Sequence, residues 1–323
     1  MFGEDSKLKL FLYAAVLLTL FGYAGRYLAL EPLHNQFFAF AAWAYILFVD
    51  NAVYRFSGSS PAVSRTGEFA ALALWSLAFS CLFELLNLRL GAWYYINQPS
   101  TLSTRWTGFA FAWAAFLPSL FVTAELLRVA GLFRGLRTRP LKVTPRLLRT
   151  FLAVGALLLL LPLAAPGTLW PLVWAAFFFL AEPLTYSLGL PSLLREWEGG
   201  LPGKTLRLAL AGLAAGLLWS LWNGAAGAQW GYHAKVSAGP QLFGLPLFAY
   251  PFFSVFALQA YSLYSLSAAL RGGATWEEGS WPMPGRVPGL AFRYAAILII
   301  IVTSYITFRA VDAHTVQLYL AWI

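Results

Sequence analysis

Charge is the first thing this sequence is short of. Of 323 residues, 22 are Lys or Arg and 13 are Asp or Glu, 11% in all. A water-soluble domain carries about 25%. Sixty per cent of the chain is apolar, and several windows exceed the ~18–20 apolar residues that cross a bilayer. A soluble fold is thereby excluded. Cysteine is almost absent: Cys81 stands alone, so there is no internal disulfide framework. It sits within an apolar segment and reads as a small core residue. The three histidines, His34, His233 and His314, lie outside or at the ends of the apolar segments. They form no cluster of metal-ligand spacing, so no metal and no cofactor is expected. Nor does the chain carry a P-loop, which argues against a pump driven by its own ATPase.

What is present is a series of apolar segments. Nine spans are read, at about 8–29, 37–56, 68–90, 107–132, 146–165, 169–189, 205–227, 242–270 and 289–310. Lipid offers backbone groups no hydrogen-bond partner, and these runs are too long for barrel strands, so each span is helical. The fold class is an all-α polytopic transmembrane bundle. The first segment is longer than a signal-peptide core and is read as an uncleaved first helix.

The net charge of +9 does not point to nucleic acid. The basic residues gather in short loops on one side, the positive-inside pattern. With the N-terminus in the cytoplasm, 17 of the 22 lie inside. The far side receives Arg26, Arg89, Arg105, Lys235 and Arg309. An inner, cytoplasmic membrane location follows, N-terminus in and C-terminus out. The tail from Ala310 to Ile323 is placed at the outer interface.

Two versions of one unit are legible. Asp50, Tyr54 and Gly58 recur as Glu182, Tyr186 and Gly189. Glu84, Asn87, Trp93 and Tyr95 recur as Ser220, Asn223, Trp230 and Tyr232. Glu125 falls opposite Gln259. The separation between partners is nearly constant, which argues for tandem duplication of four spans. An even number of spans gives both copies the same orientation, related by an axis along the membrane normal. The expected division is a first four-helix unit at 1–133, a basic linker at 134–145, a second unit at 146–271, and a final span with tail at 272–323.

Four acids fall within predicted spans: Asp50, Glu84, Glu125 and Glu182. A carboxylate in the membrane costs several kcal/mol and usually faces the bundle interior or a cavity, so these are the default functional candidates. Asp50 with Tyr54, and Glu182 with Tyr186, are i, i+4 pairs that share a helical face. Each reads as a carboxyl–phenol hydrogen bond or a capped helix end that locks the bundle, or as a proton donor tuned by its tyrosine. Pro183 deprives the Phe179 carbonyl of its usual partner. Such a break often lines a cavity.

Glu84 and Asn87 are i, i+3 and face the same way. They read as an interhelical hydrogen bond, reaching Asn223, or as an acid with an orienting amide in a pocket roofed by Trp93 and Tyr95. Pro118 is expected to bend its helix so that Glu125 faces the same interior. Glu84, Glu125 and Asp50 are the catalytic candidates. Asn87, Trp93, Tyr95, Asn223, Trp230, Tyr54, Glu182 and Tyr186 are the candidate lining of a binding site.

The duplicated pattern resembles a group of bacterial multipass membrane proteins to which no activity is assigned. It rests on Asp50–Tyr54 with Gly58, Phe83-Glu84 through Asn87 with Trp93 and Tyr95, Val122–Leu126, and Trp222-Asn223 through Trp230 and Tyr232. A fainter resemblance is to the membrane lycopene cyclases and membrane terpene cyclases. Those are small helical bundles whose intramembrane acids protonate an isoprenoid. Their acid followed by a Trp-x-aromatic element is similar to Glu84 followed by Trp93-Tyr94-Tyr95. Lycopene cyclases continue with Pro-x-Glu-Glu in the next helix, where this chain has Pro118 and a distant Glu125. The resemblance implies an enzyme acting on an isoprenoid or other lipid, with membrane lipid as the surrounding partner.

Two further readings come from the residues. The acids form a proton or cation path between the repeats, or they only knit helices together in a structural membrane protein. Oligomeric state is not encoded in any recognisable pattern.

Overall fold

The computed structural model describes residues 3–233, 239–277 and 289–316. Lys235, Arg286 and the tail at 317–323 lie outside them. The expected all-α bundle is what the chain forms: among the described residues, nine helices are long and apolar enough to cross a membrane.

In chain order the first elements are α1 (Glu4–Tyr27), α2 (Phe37–Ser57), the short α3 (Pro61–Ser64) and α4 (Thr66–Leu90). Then come strand β1 (Trp93–Ile96), α5 (Leu102–Ala114) and α6 (Phe116–Val129). The middle of the chain gives α7 (Pro145–Ala164), α8 (Pro166–Leu169), α9 (Val173–Ser187), α10 (Leu193–Glu198) and α11 (Gly203–Ala225). The remainder gives β2 (Gln229–Tyr232), β3 (Gln241–Leu242), β4 (Leu245–Pro246), α12 (Tyr250–Ser267) and α13 (Leu290–His314).

The short helices start where the sequence supplies caps. Ser60 and Ser192 accept from the backbone N–H three residues on, and so does Thr144 at the start of α7. This satisfies one of the donors that every helix start leaves open. Gly91 ends α4 with φ 57°, a left-handed conformation that costs glycine no Cβ clash. The chain turns there directly into β1.

Helix α2 lies against α1 and α6, α9 against α7 and α12, α11 against α6 and α12, and α13 against α4. Helix α1 is peripheral, with only Ala15, Gly22 and Gly25 buried. The basic stretch at 134–145 is extended, and it is pinned where Thr138 N–H donates to Gly200 O and Leu141 N–H to Trp197 O.

The fourth span, Leu102–Val129, crosses as one length and is interrupted at Ala115, where α5 passes into α6. Pro118 has no amide hydrogen and its ring crowds the carbonyl four residues back, that of Ala114. Ser76 of α4 repairs the break: its hydroxyl donates to Trp113 O at 2.5 Å and accepts from Leu117 N–H at 3.0 Å.

Lipid tails are as apolar as side chains, so helices in a membrane associate largely by close packing of small residues. Helix α11 shows this in Gly212-Leu213-Ala214-Ala215-Gly216. A Cβ on Gly212 would lie 2.2 Å from Phe253 O, and one on Gly216 2.4 Å from the Phe253 ring. Gly212→Val is therefore expected to drive α11 and α12 apart and destabilise the protein by about 1–3 kcal/mol or more. Thermal unfolding in detergent checks this, with Gly224→Ala as the control, since nothing lies within 4 Å of a Cβ there.

Candidate functional site

The two strands that follow α4 and α11 come together as one antiparallel ribbon. Trp93 stands opposite Tyr232, and Tyr95 opposite Trp230. Side chains alternate across a strand, so these four share one face. Tyr94, on the other face, lies against His233, with ring centroids 5.0 Å apart. An asparagine from each preceding helix fixes each strand. Asn87 Nδ2 donates to Trp93 O at 2.8 Å, and its Oδ1 accepts from Ala92 N–H and Trp93 N–H. Asn223 Nδ2 donates to Trp230 O at 2.9 Å and its Oδ1 accepts from Trp230 N–H at 2.9 Å.

The two halves differ in what the ribbon side chains hold. On the Glu84 side, Trp93 Nε1 donates to Glu84 Oε1 at 3.0 Å and the Tyr95 hydroxyl donates to the same oxygen at 2.5 Å. Glu84 Oε2 is buried without a hydrogen-bond partner. On the other side Ser220 takes the place of the acid, and Trp230 Nε1 donates to the Tyr232 hydroxyl at 3.1 Å. Burial, reinforced by the neighbouring Glu84 carboxylate, pushes the Tyr95 phenol well above the usual tyrosine range. Burial, with a smaller push from Tyr250, raises Tyr232 to about 12. Both remain O–H donors at neutral pH.

Glu84 and the ribbon face line a cavity of ≈ 170 Å³. Its walls are aromatic. Phe83 stacks on Trp174 with centroids 5.6 Å apart, Trp174 meets Phe256 edge-on at 5.6 Å, and Phe109 stacks on Trp113 at 5.2 Å. Its lining also takes in polar residues, among them Gln36, Gln98, Arg105 and Gln229.

Helix α13 braces the start of α5 and the strand β1. Asp312 accepts Arg105 at 2.6 and 3.0 Å through both oxygens, and Trp106 Nε1 at 2.7 Å. Tyr95 N–H donates to Thr315 O at 3.0 Å. The last helix is thus tied to the strand that carries a donor to Glu84.

No family model, curated protein or solved structure matches this chain. The reading of the site rests on its own geometry.

The other predicted acids are elsewhere. Asp50 is fully buried, but it does not pair with Tyr54. It accepts Ser60 Oγ at 2.7 Å and Ala62 N–H at 2.8 Å, and so holds the start of α3. Tyr54 is directed to Glu4 instead, at 3.1 Å. Glu182 does the same work at α10. It accepts Ser192 Oγ at 2.7 Å, Leu193 N–H at 3.1 Å, Leu194 N–H at 3.2 Å and Ser262 Oγ at 2.9 Å. Tyr186 donates to Glu198 at 2.9 Å. The i, i+4 tyrosines fail as partners because a folded-back serine-capped helix brings better donors to each carboxylate.

Glu125 does not share an interior with Glu84. It forms a two-point ion pair with Arg128 at 2.9 and 2.8 Å. It lines a separate cavity of ≈ 260 Å³ with Lys204, Arg207 and Glu277, near the basic stretch. The two acids line different cavities, so the Pro118 bend does not bring them to one interior as expected. Glu84 does not reach Asn223, which is occupied by its own strand. Among the described residues no group of His, Cys, Asp and Glu is placed to hold a metal.

Two contributors escaped the sequence reading. Asp312 lies just beyond the predicted last span, and the aromatic walls Trp113, Trp174 and Phe256 carry no motif. The one signal available was an acid following a span whose opposite loop offers Arg105-Trp106.

Proposed function

We propose that this protein is a membrane-embedded enzyme that protonates a carbon–carbon double bond of an isoprenoid or similar apolar lipid, with Glu84 as the acid. One observation carries the reading. Glu84 is the buried acid that lines the aromatic cavity and keeps one oxygen without a partner, whereas both oxygens of Asp50, Glu182 and Glu125 are taken.

Because Oε1 accepts two donors, the transferable proton sits on Oε2. It passes to an alkene carbon, the π pair becomes the new C–H bond, and positive charge develops on the neighbouring carbon. The faces of the surrounding indole and phenyl rings stabilise that charge. Hydrogen bonds to a carboxylate are stronger than those to its neutral form, so Trp93 and Tyr95 favour release of the proton. Loss of a proton from an adjacent carbon back to Glu84 completes an isomerisation or ring closure, with no change in atom count. This is general acid–base catalysis by a single group.

The reading accords with the resemblance to membrane lycopene and terpene cyclases. The matched roles of Asp50 and Glu182, and of Asn87 and Asn223, support a tandem duplication in which only the first unit kept its acid. The distribution of basic residues supports a reading with the basic stretch in the cytoplasm and the ribbon at the outer side of an inner membrane. A proton or cation path between the repeats would have to pass Asp50 and Glu182, whose oxygens accept from serine hydroxyls and backbone N–H groups.

Mass spectrometry of lipids that co-purify with wild type and with Glu84→Gln tests the proposal. The variant is expected to retain an isoprenoid that wild type yields as an isomer of equal mass and different retention. Absence of any enriched isoprenoid in both preparations would overturn the enzyme reading.

A further inference from the structure

We infer that the basic stretch between the fourth and fifth spans is a docking surface for anionic lipid headgroups, and that it selects phosphate esters of net negative charge over zwitterionic ones. The inference is independent of the chemistry proposed for Glu84.

The stretch joins the end of α6 to the start of α7. It therefore runs along one face of the membrane, at the other end of the fourth span from the ribbon. Six basic residues stand in it or in the first turns of α7: Arg134, Arg137, Arg139, Lys142, Arg146 and Arg149. All six are exposed. The sequence holds no Asp or Glu between Glu125 and Glu182. Among the described residues, none of the six takes part in an ion pair. The acids on the adjoining corner are engaged elsewhere: Glu196 pairs with Lys204 at 3.0 Å, and Glu198 accepts from the Tyr186 hydroxyl at 2.9 Å.

The backbone of the stretch is held in place. Thr138 and Leu141 are tied to the corner where α10 passes into α11. Just before them, Arg207 of α11 donates to Leu132 O at 3.2 Å. A segment fixed at three points loses less freedom when a ligand docks.

Apolar side chains stand among the cations. Phe133, Leu136 and Leu141 are 38%, 42% and 38% exposed. This mixture suits the boundary between headgroups and acyl chains, where apolar groups enter the acyl layer while Lys and Arg meet phosphate. A nucleic acid or an acidic peptide would meet the cations and leave those apolar groups in water. Attraction to an anionic surface is worth about fivefold in affinity for each basic residue close to it, and salt weakens it.

The test is native mass spectrometry of the full-length protein in detergent, titrated with phosphatidylglycerol and with phosphatidylcholine of the same acyl chains. Wild type is expected to bind phosphatidylglycerol at least about tenfold more tightly, with an advantage that shrinks as ammonium acetate is raised. The triple variant Arg137→Gln, Arg139→Gln, Lys142→Gln should cut that advantage by at least about fivefold. A matched control removes three exposed cations near the ribbon end of the bundle: Arg26→Gln, Arg89→Gln, Arg309→Gln. It should cut the advantage by less than about twofold.

Equal binding of the two lipids by wild type overturns the inference. So does a triple variant that keeps the advantage, or a control that loses as much as the triple variant. Should the triple variant fail to fold, the salt titration of wild type decides, and an advantage that salt leaves unchanged overturns the inference.

Discussion

Glu182→Ala is expected to destabilise the protein by about 3–5 kcal/mol, the scale for breaking a buried charged network from one side. Glu182 is wholly buried, and four donors converge on its two oxygens: two serine hydroxyls and two N–H groups at the start of α10. Alanine leaves the Ser192 hydroxyl and the Leu193 and Leu194 N–H groups without that acceptor, while Ser262 can turn to Leu258 O, and each unmet donor costs about 1–3 kcal/mol. Ser262 belongs to α12, so the loss also loosens a contact between helices far apart in sequence. In detergent, Tm should fall by roughly 6–10 °C, taking ~2 °C per kcal/mol for a chain of this size. Asp50→Ala follows the same logic with fewer direct donors and a smaller fall. Tyr186→Phe and Tyr54→Phe should change Tm little, since each removes one exposed bond worth less than about 1 kcal/mol. If Tyr186→Phe were as damaging as Glu182→Ala, the helix-anchoring role of this acid would be wrong.

Glu84→Gln is expected to behave in the opposite way, with a large chemical effect and a small structural one. The amide oxygen of glutamine can still accept from Trp93 Nε1 and Tyr95 O–H, so the ribbon stays seated. What disappears is the acidic proton. General acid catalysis contributes about 10²–10⁴-fold, and conversion of bound isoprenoid should fall by that much while Tm moves by no more than roughly 2–3 °C. Tyr95→Phe removes one of the two donors and should lower conversion by about tenfold, the value of one charge-assisted hydrogen bond. Lipid chromatography of membranes expressing each variant gives the ratio of product to precursor. Undiminished conversion by Glu84→Gln would eliminate this residue as the acid.

The architecture was written plainly in the sequence, because the membrane forces any long apolar run into a helix. The pairing of Asn87 with Asn223 was visible as well, since an amide, a tryptophan and a tyrosine kept their order and spacing in both copies. The antiparallel ribbon was not visible. It joins residues 93–96 to residues 229–232, and no local pattern in four residues of Trp and Tyr distinguishes interface anchoring from strand pairing.

The roles of the acids were harder still. Asp50, Glu84 and Glu182 look alike in a sequence, each a lone carboxyl in an apolar segment. What separates them is what folds back onto them. For Asp50 and Glu182 that was foreshadowed by Ser60-Pro61 and Ser192-Leu193, which carry helix-start chemistry ten residues downstream. The i, i+4 rule drew attention to Tyr54 and Tyr186 instead, because it sees one helix at a time. Glu125 was misplaced for a related reason. A proline predicts that a helix is interrupted, but not the direction in which the next segment sets off.

The tie between Tyr95 and Thr315 bears on the order in which this molecule can be assembled. Helix α4, which bears Glu84, enters the membrane early in synthesis, yet the donors that hold its carboxyl are braced by a strand from the second half and by the end of α13. Contacts so distant along the chain form late, after the loops between them have been closed at an entropic cost. The early helices must therefore wait in the bilayer with Glu84 unbraced. An acid that lacks its partners is easily kept neutral in lipid, whereas a permanent charge at that position would have to find water. A glutamate is in this respect a residue that the membrane can hold in reserve until the rest of the protein arrives.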